Sequence, residues 1–379
     1  MDSKEKHILI IAGEASGDMH AASLVDEIKL LDPSIIFSGV GGGKMRASGV
    51  KLFADITDLA VVGFVEVLKH FSEIKKIFNL VLAKIDEIKP TAVILVDYPG
   101  FNLRLARELK KKGVKVIYYI SPQIWAWKED RVALIKECVD KMLVLFQFEK
   151  ELYAKHGIDA DFVGHPLLDM INVQVSRDML FRSINFATNK LTIGLLPGSR
   201  QKEVETHLPV MLGAANILYQ QNQKLQFLLM RASTISKSVL EHPIRHYNFP
   251  IKIIDDQTYV GINACDICMV ASGTATLETA ILQKPMVVIY KTSLLTWMLA
   301  KLFVKIPCIG LVNIVAGQKI VPECIQFEAT AVHIANELKS ISSNEFKMNQ
   351  IKSALGFVKS SLGEPGASRR AAESVLKII

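Results

Sequence analysis

Short apolar runs punctuate the first half of the chain, HILIIAG, IIFSGV, TAVILVD, VKVIYYIS and KMLVLF, and segments with one polar face separate them. Helices are expected from Asp18, from about Ser72 to Ile88, and over NLRLARELKKKG. Runs that are apolar at every position form strands buried on both faces. With helices between them, they predict a parallel sheet covered on both sides. The pattern loosens after DADFVGHPLLD, through INVQVSRDMLFRSINFATNK, and restarts with LTIGLL, LQFLLM, IKIID, ICMV and MVVIY. The expected organisation is a Rossmann-like domain over residues 1–168, a linker over 169–190 and a second Rossmann-like domain over 191–343. Helices over 344–379 would pack back on the first domain or on a partner subunit, the chain then forming a homodimer. Two doubly wound α/β domains facing one cleft would place their ligands at the carboxyl ends of the strands.

Composition narrows the class of partner. The 379 residues exceed one ordinary core. Half are hydrophobic, the mean hydropathy is +0.27, and 45 Lys and Arg against 38 Asp and Glu leave a net charge of +7. A basic, apolar chain points to an anionic partner. The basic residues are spread along helices without interleaved aromatics, which favours a membrane surface over nucleic acid. Five scattered cysteines make no disulfide framework and suggest a reducing compartment. Cys265 and Cys268 form a CxxC, but Cys268 belongs to the apolar run ICMV and no second ligand pair exists, so buried thiols are expected rather than zinc. The start, MDSKEKHILIIAGEASGD, reads as a first strand rather than a signal peptide, and no segment offers the roughly 20 apolar residues of a spanning helix. A cytosol-facing protein is expected.

The candidate chemistry sits where strands end. ASGTATLETA welds a strand to a helix start, with Ser272, Gly273 and Thr274 at the N-terminus, where unpaired N–H groups and the helix dipole favour an anion. Glu278 lies one turn further along the same face, within reach of the hydroxyls of a nucleotide. A simple cap with a solvated glutamate is the other reading of this piece. LTIGLLPGSRQKEV adds a second such turn, in which Ser199 and above all Arg200 suit diphosphate oxygens. In the first half the strand ends carry Glu14, Ser16 and Asp18, then Asp97, then Ser121 and Gln123. Asp97 ends a buried strand before the stiff turn Tyr98-Pro99-Gly100 and suits a general base, with an Asx turn or a helix cap as the alternative. Asp18 reads as a cap or an acceptor contact, and Glu14 as a sugar ligand or a substitute base. GEASGD lacks GxGxxG spacing and its two acids would repel a pyrophosphate, which makes a nicotinamide dehydrogenase a weaker reading. The Asp159-x-Asp161 pair lies away from both phosphate-type turns and reads as a solvated loop, so no metal or cofactor is expected. Val65, Val67, Leu68, Phe71 and Ile74 share one side of a helix whose other face holds Glu66, Lys69, Glu73 and Lys76, either a membrane-facing stripe or ordinary core.

Nine motifs in order, GEASGD, GVGGGKMRASG, VVGFVEVLKHF, VDYPGFNLRLA, YYISPQIWAWKEDRV, FVGHPLLD, LLPGSR, SGTATLETA and GLVNIVAGQKIVPE, resemble the lipid-A-disaccharide synthase family from Ile8 to about Gln326. The resemblance implies an inverting, metal-independent glycosyltransferase of the GT-B fold, at the cytoplasmic periphery of a Gram-negative inner membrane. It would move 2,3-diacylglucosamine from UDP to the 6-hydroxyl of 2,3-diacylglucosamine 1-phosphate, forming a β-1,6 linkage. Asp97 would then be the base with Glu14 beside it, and Ser16, Asp18, Ser121 and Gln123 would line the acceptor side. Asn313 resembles a cleft residue holding diphosphate or sugar, although a turn-forming asparagine fits the residues nearly as well. Gly43, Lys44 and Lys128 depart from the family pattern. Competing classes are a UDP-sugar epimerase of the same architecture and a non-catalytic lipid-binding protein.

Overall fold

The computed structural model describes residues 6–55, 71–122, 130–294, 297–298 and 307–379. Gln123, Val65, Val67 and Leu68 fall outside them, as does the side chain of Phe71. The chain forms two compact units, Met1–Asp169 with Leu362–Ile379, and Met170–Ser361.

In the first unit, β1 (His7–Ala12), β2 (Ile36–Val40), β3 (Lys51–Ala54), β4 (Ala92–Val96), β5 (Val116–Tyr119), β6 (Lys141–Val144) and β7 (Ala160–Phe162) form a parallel sheet in the order β3-β2-β1-β4-β5-β6-β7. The continuously apolar runs occupy its centre: every residue of β4 is buried, and so is β1 from Ile8 onward. The order reverses between β1 and β4, where Ala12 pairs with Val96. The chain leaves these neighbours toward opposite sides, which opens a crevice at their carboxyl ends. Glu14 lies two residues past one end and Asp97 one residue past the other. On the helix Phe71–Ile88, Val81 and Ile85 belong to the core and Ile74, Ile77 and Phe78 pack against it. Ile74 is therefore core-facing, which corrects its expected membrane contact; the apolar stripe of this helix serves the sheet.

In the second unit, β8 (Leu191–Leu196), β9 (Leu225–Arg231), β10 (Ile251–Asp255), β11 (Ile267–Ala271), β12 (Met286–Tyr290) and β13 (Glu323–Ile325) form a parallel sheet in the order β10-β9-β8-β11-β12-β13. Here the reversal lies between β8 and β11, where Leu196 pairs with Val270. The PGSR turn starts one residue beyond the first and SGT two beyond the second, so both phosphate-type turns flank one crevice.

Two boundaries differ from expectation. Residues 170–190 belong to the second unit: Ser176 caps the helix Arg177–Ser183, and the Arg177 guanidinium grips Asp266 at 2.7 and 3.0 Å. Polar composition there hid a structural ion pair. The C-terminal helices also divide. Glu345–Ser361 packs on second-unit helices, Ala275–Ile281 among them, and only Ala367–Ile378 packs on the first unit, against Ala15–Leu31. That last helix is tied down by Arg370 Nε, which donates to the Val163 carbonyl at 2.8 Å, and by Ser374 Oγ, which donates to Asp161 at 2.6 Å. Asp161 and Asp159 both pair with the largely buried Lys141, at 3.0 and 2.7 Å. Asp161 is thus a strand residue that clamps the last helix to the sheet edge, whereas Asp159, 68% exposed, lies in the solvated loop expected of it. All five cysteines are buried free thiols, and among the described residues no helix is long and apolar enough to cross a membrane.

Candidate active site

Asp97 stands at the β4 end in a conformation that few residues accept. It and Tyr98 have φ of 47° and 46°, the left-handed region, where a non-glycine pair is strained and needs external support. Support comes from the backbone carbonyl of Asp97, which accepts from Asn102 Nδ2 at 2.8 Å and from the Tyr118 hydroxyl at 2.6 Å, and from its N–H, which donates to Tyr119 O at 3.0 Å. Asn102, wholly buried, also donates to Val96 O. The Tyr98 ring packs directly on Gly13; a Cβ on Gly13 would be 2.2 Å from a ring carbon, so only glycine allows this closure. The helix Pro99–Lys111 has no side-chain cap. Asp97 is therefore not spent on capping, and the brace runs the other way, from Asn102 to Asp97.

Its carboxyl group is poised for proton transfer. Burial, with the negative charge of Glu14 adding to it and the Tyr98 backbone N–H opposing it, raises its pKa to about 6. Glu14 occupies the N-cap position of the helix Ala15–Leu31 but its side chain makes no capping bond. Two carboxylates of unequal environment thus share the switch point, an arrangement suited to general-base work beside a second, hydroxyl-binding acid.

Neighbouring expectations resolve unevenly. Ser16 is exposed on the first helical turn. Asp18 is buried, and its carboxylate accepts from the N–H groups of Gly42, Lys44 and Met45 at 2.7, 2.9 and 3.1 Å. Buried and bonded to the glycine-rich loop, it faces the chain rather than an acceptor, a correction to its expected role. Ser121 is likewise corrected: its buried hydroxyl is used by Pro122 O and the Tyr153 hydroxyl at 2.9 and 2.8 Å. Burial pushes the pKa of the partly buried His20 down to about 4 and that of the buried His165 to about 3.

At the β8 end, Gly198 has φ +126°, and the turn it makes brings the Ser199 and Arg200 N–H groups to the start of the 21-residue helix Gln201–Gln221. The Thr234 hydroxyl anchors Ser199 O at 2.6 Å. The Arg200 side chain is 55% exposed and pairs with Glu203 at 2.9 Å. Behind the turn, His207 is a residue that sequence reasoning passed over. Its Nδ1–H donates to Pro197 O at 3.1 Å, and its Nε2 accepts from the Lys291 N–H at 3.1 Å, which defines a neutral tautomer; burial lowers its pKa. His207 thereby fastens the PGSR turn to the chain leaving β12.

At the β11 end, the Ser272 N–H and hydroxyl bind Ile289 O and Ile309 O, Gly273 takes φ +155°, and Thr274 is exposed at the helix start. Glu278, one turn in, is mostly shielded; burial raises its pKa and a hydrogen bond with Tyr259 opposes this. Asn313 is not available to a ligand. It is buried, its Nδ2 donates to Val321 O and Glu323, and its Oδ1 accepts from the Ile320 and Val321 N–H groups at 2.9 and 3.0 Å. Glu323 in turn accepts from the Ile309 and Gly310 N–H groups. Asn313 is a loop-folding residue, which corrects its expected donor contact. Asn313→Ala strands several buried groups at once and is expected to cost about 2–3 kcal/mol of unfolding free energy. Denaturant titration checks this; a variant as stable as the parent would contradict the assignment.

Among the described residues no cluster of His, Cys, Asp and Glu could hold a metal ion.

Two doubly wound parallel sheets, each with its candidate groups at a switch point, define a protein of the GT-B class. Solved structures of that architecture match over nearly the whole chain: the glycosyltransferase of kitacinnamycin (TM-score 0.68, 13% identity, 99% of this chain and 100% of that one) and the UDP-GlcNAc 2-epimerase of Neisseria meningitidis bound to UDP-GlcNAc (TM-score 0.65, 13%, 98% and 100%). At such identity they speak for the fold alone. The family model described as lipid-A-disaccharide synthetase matches residues 8–379, and the lipid-A-disaccharide synthase of Syntrophus aciditrophicus is 44% identical over 375 residues, 99% of this chain and 98% of that protein. The chain belongs to the lipid-A-disaccharide synthase family.

Proposed function

We propose that the protein transfers 2,3-diacylglucosamine from UDP to the 6-hydroxyl of 2,3-diacylglucosamine 1-phosphate, with inversion, giving a β-1,6-linked disaccharide 1-phosphate and UDP. Family membership supports the reaction, and the observation that carries the mechanism is the partly buried, strained Asp97 with its carboxyl near pKa 6. Asp97 takes the proton from the acceptor hydroxyl as its oxygen attacks the anomeric carbon, and the bond to UDP breaks on the opposite face. Arg200, Ser199 and the helix starts at Gln201 and Ala275 neutralise the charge that gathers on departing UDP, and Glu278 takes ribose hydroxyls. Glu14 and Ser16 hold acceptor hydroxyls. An anionic membrane surface supplies both acylated substrates; the net charge of +7 and the exposed Leu294 and Met298 support this contact.

The test is UDP release from purified protein. Release that requires both acylated sugars supports the transferase; donor turnover without an acceptor would support the epimerase reading and sink this one. A pH profile follows from Asp97. The base works deprotonated, so kcat/KM should fall about tenfold per pH unit below pH 6 and level off above it. A flat profile between pH 5 and pH 7 would remove Asp97 from the role.

A further inference from the structure

The PGSR turn is built to bind an anion, and a carboxylate of the chain itself sits in it. Glu203 Oε2 accepts from the backbone N–H groups of Ser199 at 3.2 Å and Arg200 at 3.3 Å, and Oε1 accepts from Arg200 Nη1 at 2.9 Å. Gly198 makes room for it: a Cβ there would stand 2.7 Å from Oε2 and 2.8 Å from the Glu203 Cβ. These are the donors that the proposed diphosphate contact requires. We propose that Glu203 is an internal occupant of the diphosphate subsite, which the nucleotide must displace and which thereby sets donor affinity. The proposal rests on the reading of this turn as the donor site.

The contacts are of a kind that yields. Both backbone N···O distances lie at or beyond the long end of the hydrogen-bond range. The Arg200–Glu203 pair is three residues apart, with side chains 55% and 33% exposed, so solvent screens it. A diphosphate brings more charge and more acceptor oxygens to the same groups and wins the exchange. Once displaced, Glu203 stays tethered one helical turn away as a like charge, so affinity is held below what the turn alone would give. A glutamate that merely capped the helix would leave affinity untouched.

Titration calorimetry of UDP against the intact protein and Glu203→Gln separates these roles. Glutamine keeps the capping geometry and loses the charge. The expected result is UDP binding about two- to fivefold tighter in the variant, by the size of a screened charge pair, with the gap narrowing as salt is raised. Glu203→Ala should also bind more tightly while melting at a lower temperature. Unchanged or weaker UDP binding by Glu203→Gln overturns the proposal. Arg200→Ala distinguishes the two levels of failure: if that variant binds UDP like the parent, the donor-site reading falls; if it loses UDP while Glu203→Gln gains nothing, only the role of Glu203 falls.

Discussion

Asp97→Asn is expected to lower kcat by about two to four orders of magnitude while UDP binding persists, the range for loss of a positioned general base. Asparagine keeps the size of the side chain and tolerates the left-handed φ that this position demands, so the Asn102 and Tyr118 hydrogen bonds to the residue 97 carbonyl should survive. What goes is the group that accepts a proton. Removing Asp97 also relieves the repulsion it shares with Glu14, so the variant should unfold no more easily than the parent at pH 7, where the parent holds a largely buried carboxylate in its charged form. Steady-state kinetics with saturating acylated substrates, paired with UDP calorimetry, is the measurement. Near-parental kcat would hand the role of base to Glu14. Loss of UDP binding along with activity would mean that the residue is structural.

Arg200→Ala should weaken UDP binding about ten- to a hundredfold, as expected for one charge-assisted, bidentate contact to a diphosphate. Its effect on folding should be small. The guanidinium is more than half exposed, and its Glu203 pair is a surface interaction of about 0–1 kcal/mol. Affinity and stability therefore part company at Arg200, the opposite of Asn313, whose four hydrogen bonds all lie inside the fold. Equal UDP affinity in parent and variant would move the diphosphate away from the β8 end.

Much of this was legible along the chain because it is local. Fully apolar runs marked the strands, since a parallel sheet covered on both faces has no polar side to write into the sequence. Gly-rich turns after β8 and β11 marked the helix starts, because φ values such as that of Gly198 demand particular residues. Asp97 stood out by its place before Tyr98-Pro99-Gly100. Its brace did not: Asn102 reads as an ordinary helical residue until the fold brings its amide under the Asp97 carbonyl. His207 was silent for the same reason, since its second partner, Lys291, is 84 residues away.

The misjudged polar residues have one thing in common. Asp18, Ser121 and Asn313 lie in loops or at helix starts between strands, and in sequence such residues look alike whether they face a ligand or the chain. Asp18 turned inward to N–H groups 24 to 27 residues away, and Arg177 found Asp266 89 residues away. Sequence by itself determined the two α/β units, the turns that end their central strands and the family, because periodicity, turn chemistry and ordered motifs are properties of neighbours in the chain. Tertiary structure alone decided which polar side chains at those ends are already satisfied and which remain free to act. That depends on hydrogen bonds closed across long loops, and a buried polar group takes whichever partner the fold brings within about 3 Å.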